Sequence, residues 1–311
     1  MTSGKIILTT TTSFGKESPG LVERLDNHGF QVLHNPLARK LTAAELAGLL
    51  TEYRPVGLLA GTEPITRPVL EAARDFLKVI SRVGVGWDNV DHTAAAELGI
   101  LVYRTPGVLT HAVAELTLGL ILAALRLIPW CHQLIRQGEW RKPMGGLLHG
   151  KTVGIVGFGS IGQHVGKLAQ AFGSTVVYYD PHPVAAPWAQ SLSLAALMAQ
   201  ADIVTIHASG NQTILGAAEL QKIGKKGIIL VNTARGGSVD ETALYEALVD
   251  GRVGLACLDV FQNEPYRGPL SSLDNVILTP HVGSYAREAR QLMEETAVEN
   301  LLRGLQKVGL L

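Results

Sequence analysis

The stretch "VGIVGFGSIGQHVGKLAQAFG", residues 153–173, has a glycine spacing that decides the fold around it. It places Gly157, Gly159 and Gly162 after an apolar run typical of a strand and at the start of a helical pattern. In a G-x-G-x-x-G loop the first glycine allows a tight turn, the second lets backbone approach a pyrophosphate, and the third lets helix and strand pack closely. We therefore predict a dinucleotide site of Rossmann type at a helix N-terminus, which attracts phosphate charge. Its loop residues are Gly157, Gly159, Ser160, Ile161 and Gly162.

An acidic residue ends the next strand. The run "TVVYYD" finishes at Asp180, eighteen residues after Gly162. A carboxylate at this place accepts hydrogen bonds from the adenosine ribose hydroxyls and repels a 2′-phosphate. No arginine follows in Pro181, His182 or Pro183, so we predict NAD rather than NADP as the cofactor. A glycine-rich turn followed by a solvated aspartate is the alternative interpretation.

Short apolar runs alternate with helical patterns along the whole chain. The runs of the first part are "KIILTT", "FQVLHN", "VGLLAG", "LKVISRVG" and "ILVYRT". Those of the second part are "KTVGIVGFG", "STVVYYD", "ADIVTIHA", "GIILVNTARG", "GLACLDVF" and "NVILTPH". This alternation is typical of βαβ units, in which helices cover both faces of a parallel sheet. An apolar helix at Leu116–Ile128 separates the two series, and we predict an α/β protein with two domains.

Polar residues follow the strands of the second part at the point where each strand ends. They are His207 and Ala208, then Thr233, Ala234 and Arg235, then Asp259 and Glu264, and finally His281 and Gly283. Because ligands bind outside the carboxyl ends of parallel strands, these residues are predicted to lie beside the dinucleotide. Any one of them alone is equally well explained as a helix cap or a surface ion pair. Together they predict an active site.

The residue types indicate the chemistry. Arg235 suits a carboxylate, which it holds through two parallel charge-assisted hydrogen bonds. His281 suits a proton donor to a ketone oxygen, and Glu264 suits the orientation of its ring. A nicotinamide exchanges hydride, so the protein has to bind the substrate and manage one proton. A 2-keto acid reduced to a 2-hydroxy acid fits these three side chains.

Composition excludes several other classes. With 27 basic and 27 acidic residues, no nucleic acid or membrane partner is expected. The two cysteines give no disulfide framework, and the chain starts without a signal-peptide pattern, so we expect a cytoplasmic protein. Leu116–Ile128 is too short to span a bilayer. No H-E-x-x-H motif or Cys/His cluster is present, and no metal site is predicted.

With these residues in view, the sequence resembles the D-isomer-specific 2-hydroxyacid dehydrogenases, within them the phosphoglycerate dehydrogenase-like group. The resemblance runs over nearly the whole chain and includes the segments "SRVGVGWDNVD" (81–91), "RTPGVLTHAVAE" (104–115), "GKTVGIVGFGSIG" (150–162), "NTARGGSVDETAL" (232–244), "LDVFQNEP" (258–265) and "LTPHVGS" (278–284). Arg235, Glu264 and His281 coincide with the catalytic Arg, Glu and His of that family.

The resemblance implies two doubly wound parallel-sheet domains. A Rossmann cofactor domain, residues 101–284, is inserted into a flavodoxin-like substrate domain formed by residues 1–100 and 285–311. The backbone of Gly84, Val85 and Gly86 is expected to meet the substrate carboxylate, and Asp259 to face the nicotinamide carboxamide. The Leu116–Ile128 helix is expected at a homodimer interface, and no regulatory domain is expected.

Two departures from that family bear on the substrate, which is expected to be a small 2-keto acid or the corresponding D-2-hydroxy acid. Ala60-Gly61 stand where phosphoglycerate dehydrogenases often have Arg-Ser, and Arg104 stands where Asn is common. Arg104 either compensates for the missing arginine by binding a second anionic group or simply faces solvent, and Arg82 is a further candidate for that group. The expected substrate is 3-phosphoglycerate with 3-phosphohydroxypyruvate, or a phosphonate analogue. Alternatives are a general glyoxylate or hydroxypyruvate-type reductase and a non-enzymatic NAD-sensing protein.

Overall fold

The computed structural model describes residues 5–210 and 212–311, and these divide into two compact units. The first contains the described residues up to Leu109 and resumes at Tyr285–Leu311, while the second is Thr110–Ser284. Each unit has a parallel β-sheet covered by helices. The second is thus inserted in the chain of the first.

The first unit contains a five-stranded sheet. Its elements are β1 (Lys5–Thr9), α1 (Gly20–Asp26), β2 (Phe30–His34), α2 (Ala43–Tyr53), β3 (Gly57–Ala60), α3 (Arg67–Ala73), β4 (Val79–Arg82), α4 (His92–Glu97) and β5 (Leu101–Tyr103). The strand order is β2-β1-β3-β4-β5, and all pairs are parallel. This is the flavodoxin-like order. Every residue of β3 and β4 is buried, as expected for central strands covered on both faces.

The second unit contains a seven-stranded sheet. Its elements are α5 (Thr110–Leu125), α6 (Ile128–Arg136), β6 (Thr152–Val156), α7 (Ser160–Ala171), β7 (Thr175–Tyr179), β8 (Gln190–Ser191), α8 (Leu194–Gln200), β9 (Ile203–Ile206), α9 (Ala217–Leu220), β10 (Ile228–Asn232), α10 (Glu241–Val249), β11 (Val253–Leu258) and β12 (Val276–Leu278). The order β12-β11-β10-β9-β6-β7-β8 is the Rossmann order with one further strand, so the predicted fold class is confirmed.

The last helix, α11 (Arg287–Lys307), returns to the first unit and completes its core. Met293, Ala297 and Leu301 are at most 1 % exposed and belong to the same apolar cluster as residues of β1 and β3. The Ser81 hydroxyl of β4 donates a hydrogen bond to the Ala297 carbonyl oxygen at 2.8 Å. This helix therefore covers one face of the five-stranded sheet.

Two details differ from the expectations. The first unit extends to Leu109 rather than residue 100, because β5 pairs with β4 in its sheet; residues 1–4 of the expected domain lie outside the described residues. The apolar helix expected at Leu116–Ile128 is α5, which ends at Leu125. Leu127 has φ 54°, and Pro129 lies in the first turn of α6, so the chain cannot continue as one helix.

In residues 5–210 and 212–311, no single helix has the length and hydropathy to cross a membrane. Helices α5 and α6 reach the required length and hydropathy only when taken together, and the two are bent by 59° relative to each other.

Candidate active site

The loop between β6 and α7 has close contacts that require glycine. Gly157 has φ 90°, and a Cβ on it would lie 2.5 Å from the Ala208 backbone nitrogen. A Cβ on Gly162 would lie 2.2 Å from the Gly157 carbonyl oxygen. By contrast, nothing lies within 4 Å of a Cβ built on Gly159, which precedes α7 and provides no side-chain cap. The open space at the N-terminus of α7 therefore fits a pyrophosphate.

Asp180, which follows β7, is hydrogen-bonded to this glycine loop. Its Oδ2 accepts a hydrogen bond from the Phe158 N–H at 2.7 Å, and its Oδ1 accepts one from the His182 N–H at 2.8 Å. A carboxylate oxygen accepts more than one hydrogen bond, so both retain capacity for a ribose hydroxyl. Asp180 thus fixes the glycine loop and remains suited to the role predicted for it.

His207 follows β9 and lies next to the glycine loop. Desolvation by burial lowers the pKa of His207 to about 3, so its imidazole is neutral at physiological pH. Its Nε2 is hydrogen-bonded with the Thr205 hydroxyl at 2.9 Å. Its Nδ1 is buried, and no partner for it exists among the residues that the structure describes. Buried polar atoms without a hydrogen-bond partner are rare in folded proteins. The unpaired Nδ1 of His207 therefore fits a site in which a bound molecule supplies the missing partner.

Thr233, after β10, has a defined hydroxyl orientation. Its Oγ1 lies 2.8 Å from the Thr117 hydroxyl of α5, and Thr117 itself donates to the Val113 carbonyl oxygen at 2.8 Å. Since Thr117 has one hydroxyl proton, Thr233 has to donate to it. The free lone pairs of Thr233 then accept hydrogen bonds, for example from an amide of a bound cofactor.

Asp259, at the end of β11, is fully buried and holds the segment around His281. Its Oδ1 accepts hydrogen bonds from the Thr279 hydroxyl at 2.6 Å and the Val282 N–H at 2.8 Å. Its Oδ2 accepts one from the Gly283 N–H at 2.9 Å. His281 has φ 55°, a left-handed conformation that costs about 1–2 kcal/mol for a residue with a side chain. The three hydrogen bonds of Asp259 offset this cost.

His281 and Glu264 form a hydrogen-bonded pair. His281 Nδ1 lies 2.9 Å from Glu264 Oε2, and Glu264 Oε1 accepts a hydrogen bond from the Phe261 N–H at 3.1 Å. The side chains are 46 % and 31 % exposed, so a small molecule can reach the ring. Because Nδ1 faces Glu264, the other ring nitrogen, Nε2, is left for a substrate.

Arg235 lies on the turn after β10. The Asn232 side chain closes this turn, since its Oδ1 accepts from the Ala234 N–H at 3.1 Å and its Nδ2 donates to the Arg235 carbonyl oxygen at 2.9 Å. A Cβ on Gly236 would lie 1.9 Å from the Phe261 carbonyl carbon. The turn of Arg235 therefore packs directly on the loop of Glu264, and the structure brings the trio together in the second unit.

In the first unit, the loop of Gly84, Val85 and Gly86 follows β4. The Arg82 guanidinium donates to the Val83 carbonyl oxygen and fills the space where a Gly84 side chain would lie. Gly84 N–H donates to the Arg82 carbonyl oxygen at 2.9 Å, whereas the Val85 and Gly86 N–H groups have no acceptor in the described ranges of the chain. Arg82 thus supports the loop, and two neighbouring N–H groups are left for an anion.

Arg104 directly follows β5 and packs against the same loop. Its guanidinium carbon is 4.4 Å from the centre of the Trp87 ring, and its Nη1 makes a long hydrogen bond of 3.4 Å to the Val85 carbonyl oxygen. The positive charge of Arg104 is therefore held next to the loop that carries the open N–H groups of Val85 and Gly86.

Comparison with known proteins identifies the family. The family model described as "D-isomer specific 2-hydroxyacid dehydrogenase, NAD binding domain" matches residues 118–283. The chain belongs to this family. It is an oxidoreductase of the NAD-dependent D-2-hydroxyacid dehydrogenase class, as the resemblance implied.

Two curated relatives and one solved structure resemble this dehydrogenase over most of its length. It is 42 % identical to the D-3-phosphoglycerate dehydrogenase of Methanocaldococcus jannaschii, covering 87 % of this chain and 53 % of the relative. It is 38 % identical to the hydroxypyruvate reductase of Thermotoga maritima, covering 90 % and 96 %. The TT0316 protein from Thermus thermophilus has a TM-score of 0.88 and 41 % identity, with 97 % of both chains covered. The chain thus spans about half of the first relative and nearly all of the other two proteins.

NAD is the cofactor of this dehydrogenase. When bound, it supplies or accepts a hydride. The glycine loop and Asp180 fit its adenosine and pyrophosphate parts, and the buried Nδ1 of His207 fits a polar group of the same molecule. Within the described residues, no group of three or more His, Cys, Asp or Glu side chains is placed to hold a metal ion.

Sequence reasoning missed three supporting residues of this dehydrogenase. Thr117 orients the Thr233 hydroxyl, Asn232 closes the turn of Arg235, and Thr279 donates to Asp259. A lone hydroxyl inside the apolar α5 run is the one available signal for Thr117. Asn232 and Thr279 stand at strand ends, where their side chains also suit ordinary turns.

Proposed function

We propose that the protein reduces a 2-keto acid to the D-2-hydroxy acid with NADH, and catalyses the reverse reaction. The observation that supports this most directly is the Glu264–His281 pair, at 2.9 Å, on the loop adjoining the turn of Arg235. In reduction, the Arg235 guanidinium holds the substrate carboxylate and fixes the plane of the adjacent carbonyl. Protonated His281 donates a proton from Nε2 to the carbonyl oxygen, while Glu264 holds Nδ1–H and stabilises the charged ring.

The roles of the two units follow from their sites. We assign NAD binding to the second unit. The residues are those of the glycine loop with Asp180, His207, Ala208, Thr233, Ala234 and Gly283, while Asp259 holds the segment around His281. We assign substrate binding to Arg235 and, in the first unit, to the loop of Gly84, Val85 and Gly86 with Arg82 and Arg104. The open N–H groups of Val85 and Gly86 support this assignment, since paired N–H groups bind a carboxylate well.

The substrate is a small 2-keto acid, and two kinds remain candidates. The first carries a phosphate or phosphonate, as in 3-phosphohydroxypyruvate, and is supported by Arg104 next to the substrate loop. The second is glyoxylate or hydroxypyruvate, and is supported by Ala60-Gly61, which supply no cation. The named relatives include enzymes of both kinds.

A homodimer is the proposed assembly. No residue of α6 is buried, although the helix and the following loop carry large apolar side chains. We call this set the α6 patch; it consists of Ile128, Ile135, Trp140, Met144 and Leu147, all more than half exposed. An apolar surface of this kind is typical of an interface, and a second copy of the chain covers it symmetrically. Both cysteines are free thiols, which is consistent with the cytoplasmic location predicted from the sequence.

Replacing His281 tests the proposed function. Purified protein is expected to oxidise NADH with glyoxylate, hydroxypyruvate or 3-phosphohydroxypyruvate. His281→Ala is expected to lower kcat about 100- to 10,000-fold, the usual contribution of a general acid, with NADH affinity changed less than about twofold. His28→Ala, an exposed histidine of the first unit, is the matched control. Unchanged turnover in His281→Ala removes this residue from the mechanism, and absence of turnover with every 2-keto acid contradicts the function.

A further inference from the structure

The loop that follows β4 lies between strand ends of opposite charge. In the sheet order, β3 flanks β4 on one side and β5 on the other. The loop itself offers the open N–H groups of Val85 and Gly86, to which the proposed function assigns the substrate carboxylate. What lies at the ends of β3 and β5 therefore decides on which side a further charged group of the substrate is accepted.

The β3 side is closed to anions. The N–H of Gly61 already donates to the Thr10 hydroxyl and to Glu63 Oε1, each at 3.0 Å. The Thr10 hydroxyl is also hydrogen-bonded to Glu63 Oε1. Glu63 is 2 % exposed, so its negative charge is poorly screened by solvent. The Asn89 side chain donates to the Glu63 carbonyl oxygen at 2.7 Å and ties this turn to the substrate loop. An anion on this side would meet the Gly61 N–H already occupied by other acceptors. It would also be repelled by the buried Glu63 carboxylate.

The β5 side has the opposite character. Arg104 is half-buried, with its guanidinium stacked on Trp87 at 4.4 Å and touching the Val85 carbonyl oxygen at 3.4 Å. No carboxylate of the first unit that the structure describes lies within 4.0 Å of it. Stacking leaves the N–H groups at the guanidinium edge available and limits the side-chain freedom that binding would remove. Arg104 is therefore a pre-oriented cation beside the predicted carboxylate site.

We propose that Arg104 is the specificity residue that recognises a second anionic group of the substrate, a carboxylate or a phosphate on the β5 side of the loop. The inference rests on the proposed function for the position of the first carboxylate. A guanidinium binds both kinds of anion through two parallel hydrogen bonds. The substrate class is then a 2-keto acid with two anionic groups, and an uncharged acid is a poorer ligand.

Binding of matched ligand pairs to the NADH complex tests this inference. The pairs are 3-phospho-D-glycerate with D-glycerate, and D-malate with D-lactate; calorimetry on the full chain measures each Kd without turnover. Arg104→Met is expected to raise the Kd of the member with the second anion about 10- to 100-fold and to change the other member less than threefold. Arg104→Lys retains the charge but not the stacked, two-pronged geometry, so it is expected to recover only part of the affinity. Arg54→Met is the control, since Arg54 stacks on Phe76 at 4.6 Å in the same unit without a site nearby.

Three outcomes overturn the inference. Wild-type protein that binds both members of each pair equally has no site for the second anion. An equal loss for both members in Arg104→Met means that Arg104 acts on the shared carboxylate or only supports the loop. No loss for either member means that it does not touch the ligand. If Arg104→Met weakens binding of the doubly anionic member in only one of the two pairs, the inference is supported. That pair then identifies whether Arg104 binds a phosphate or a carboxylate. Rates with 3-phosphohydroxypyruvate and hydroxypyruvate are measured in parallel, so a lack of turnover contradicts the proposed function and leaves the binding result independent of it.

Discussion

At the scale of single residues, the backbone of His281 explains why a buried aspartate stands at the end of β11. A left-handed histidine persists when its surroundings fix it. Here the Asp259 carboxylate binds the Thr279 hydroxyl before His281 and the N–H groups of Val282 and Gly283 after it. Both carboxylate oxygens of Asp259 thus accept hydrogen bonds from the protein itself. The carboxamide contact expected for Asp259 stays a prediction, and the structure supports a positioning role through His281.

Asp259→Asn is expected to separate this positioning role from cofactor binding. An asparagine has one acceptor oxygen and an NH2 group, so at least one buried N–H or hydroxyl loses its acceptor, at about 1–3 kcal/mol. We expect kcat to fall at least tenfold, the midpoint of thermal unfolding to drop by a few degrees and the Kd of NADH to change less than threefold. Steady-state kinetics, calorimetry and NADH fluorescence titration measure the three quantities.

Asp274→Asn is the matched control, because Asp274 is exposed just before β12. It is expected to behave as wild type. If Asp259→Asn instead loses NADH affinity by the same factor as kcat, then Asp259 contacts the cofactor directly and the positioning role is wrong.

At the scale of elements, the β6–α7 connection separates two different reasons for a glycine. Gly162 is required by the fold, since a Cβ on it would lie 2.2 Å from the Gly157 carbonyl oxygen. Gly159 is not, since nothing of the protein lies within 4 Å of a Cβ built there. The space at Gly159 therefore serves a bound pyrophosphate rather than the free protein.

Two alanine variants distinguish these reasons. Gly162→Ala is expected to lower stability by at least about 1–3 kcal/mol through overpacking and to weaken NADH binding as well. Gly159→Ala is expected to leave the thermal midpoint of the free protein within about 1 °C of wild type, yet to raise the Kd of NADH at least tenfold. Thermal unfolding without cofactor and NADH titration give both values. Gly48→Ala, in the middle of α2 with open space at its Cβ, is the helix control. Equal NADH affinity in Gly159→Ala and wild type would contradict the proposed pyrophosphate position.

The strands were the elements that the sequence predicted best. Each apolar run overlaps a strand of the structure, because buried parallel strands have to be apolar on both faces. The two-residue β8, Gln190–Ser191, was missed, since two polar residues give no hydrophobic pattern. The break at Leu127 was missed as well, because α5 and α6 are apolar on either side of it and only Pro129 signals the interruption.

At the scale of the whole molecule, the α6 patch is a group of large apolar side chains that the fold leaves exposed. α6 contains no buried residue, and Trp140 and Met144 are 79 % and 93 % exposed in the loop that follows it. Large exposed apolar side chains grouped on one segment are typical of an interaction surface. The dimer interface predicted at the Leu116–Ile128 helix stays a prediction. Within α5, Leu120, Ile121 and Ala124 are at most 5 % exposed and belong to the core of their own unit.

A charge in the α6 patch is expected to dissociate the homodimer. Ile135→Asp places a carboxylate in the patch, where burial without a partner is unfavourable by several kcal/mol. Light scattering after size exclusion is expected to give the mass of two chains for wild type and of one chain for the variant. Val249→Asp, at an apolar position that is 64 % exposed on α10, is expected to remain dimeric. A wild-type mass of one chain at micromolar concentration contradicts the proposed assembly.

The candidate site shows the limit of sequence reasoning at this scale. Placing polar residues at strand ends required only the rule for parallel sheets, and that rule proposed Arg235, Glu264 and His281 as site residues. The Glu264–His281 hydrogen bond closes a sequence separation of 17 residues, and the Gly236–Phe261 contact joins two different loops. Such contacts depend on loop conformation, for which the chain has no periodic signal. The opposite charges of Glu63 and Arg104 around the β4 loop were likewise invisible until the strand order was known.

The return of α11 to the first sheet has a consequence for synthesis on the ribosome. The N-terminal strands emerge first, but the face of β4 that packs on Ala297 stays uncovered until α11 has been made. All residues of the second unit are synthesised before α11. The second unit can therefore fold while one face of the first sheet is still exposed. The first unit therefore completes its core only after the second unit has been synthesised, although its strands come first in the chain.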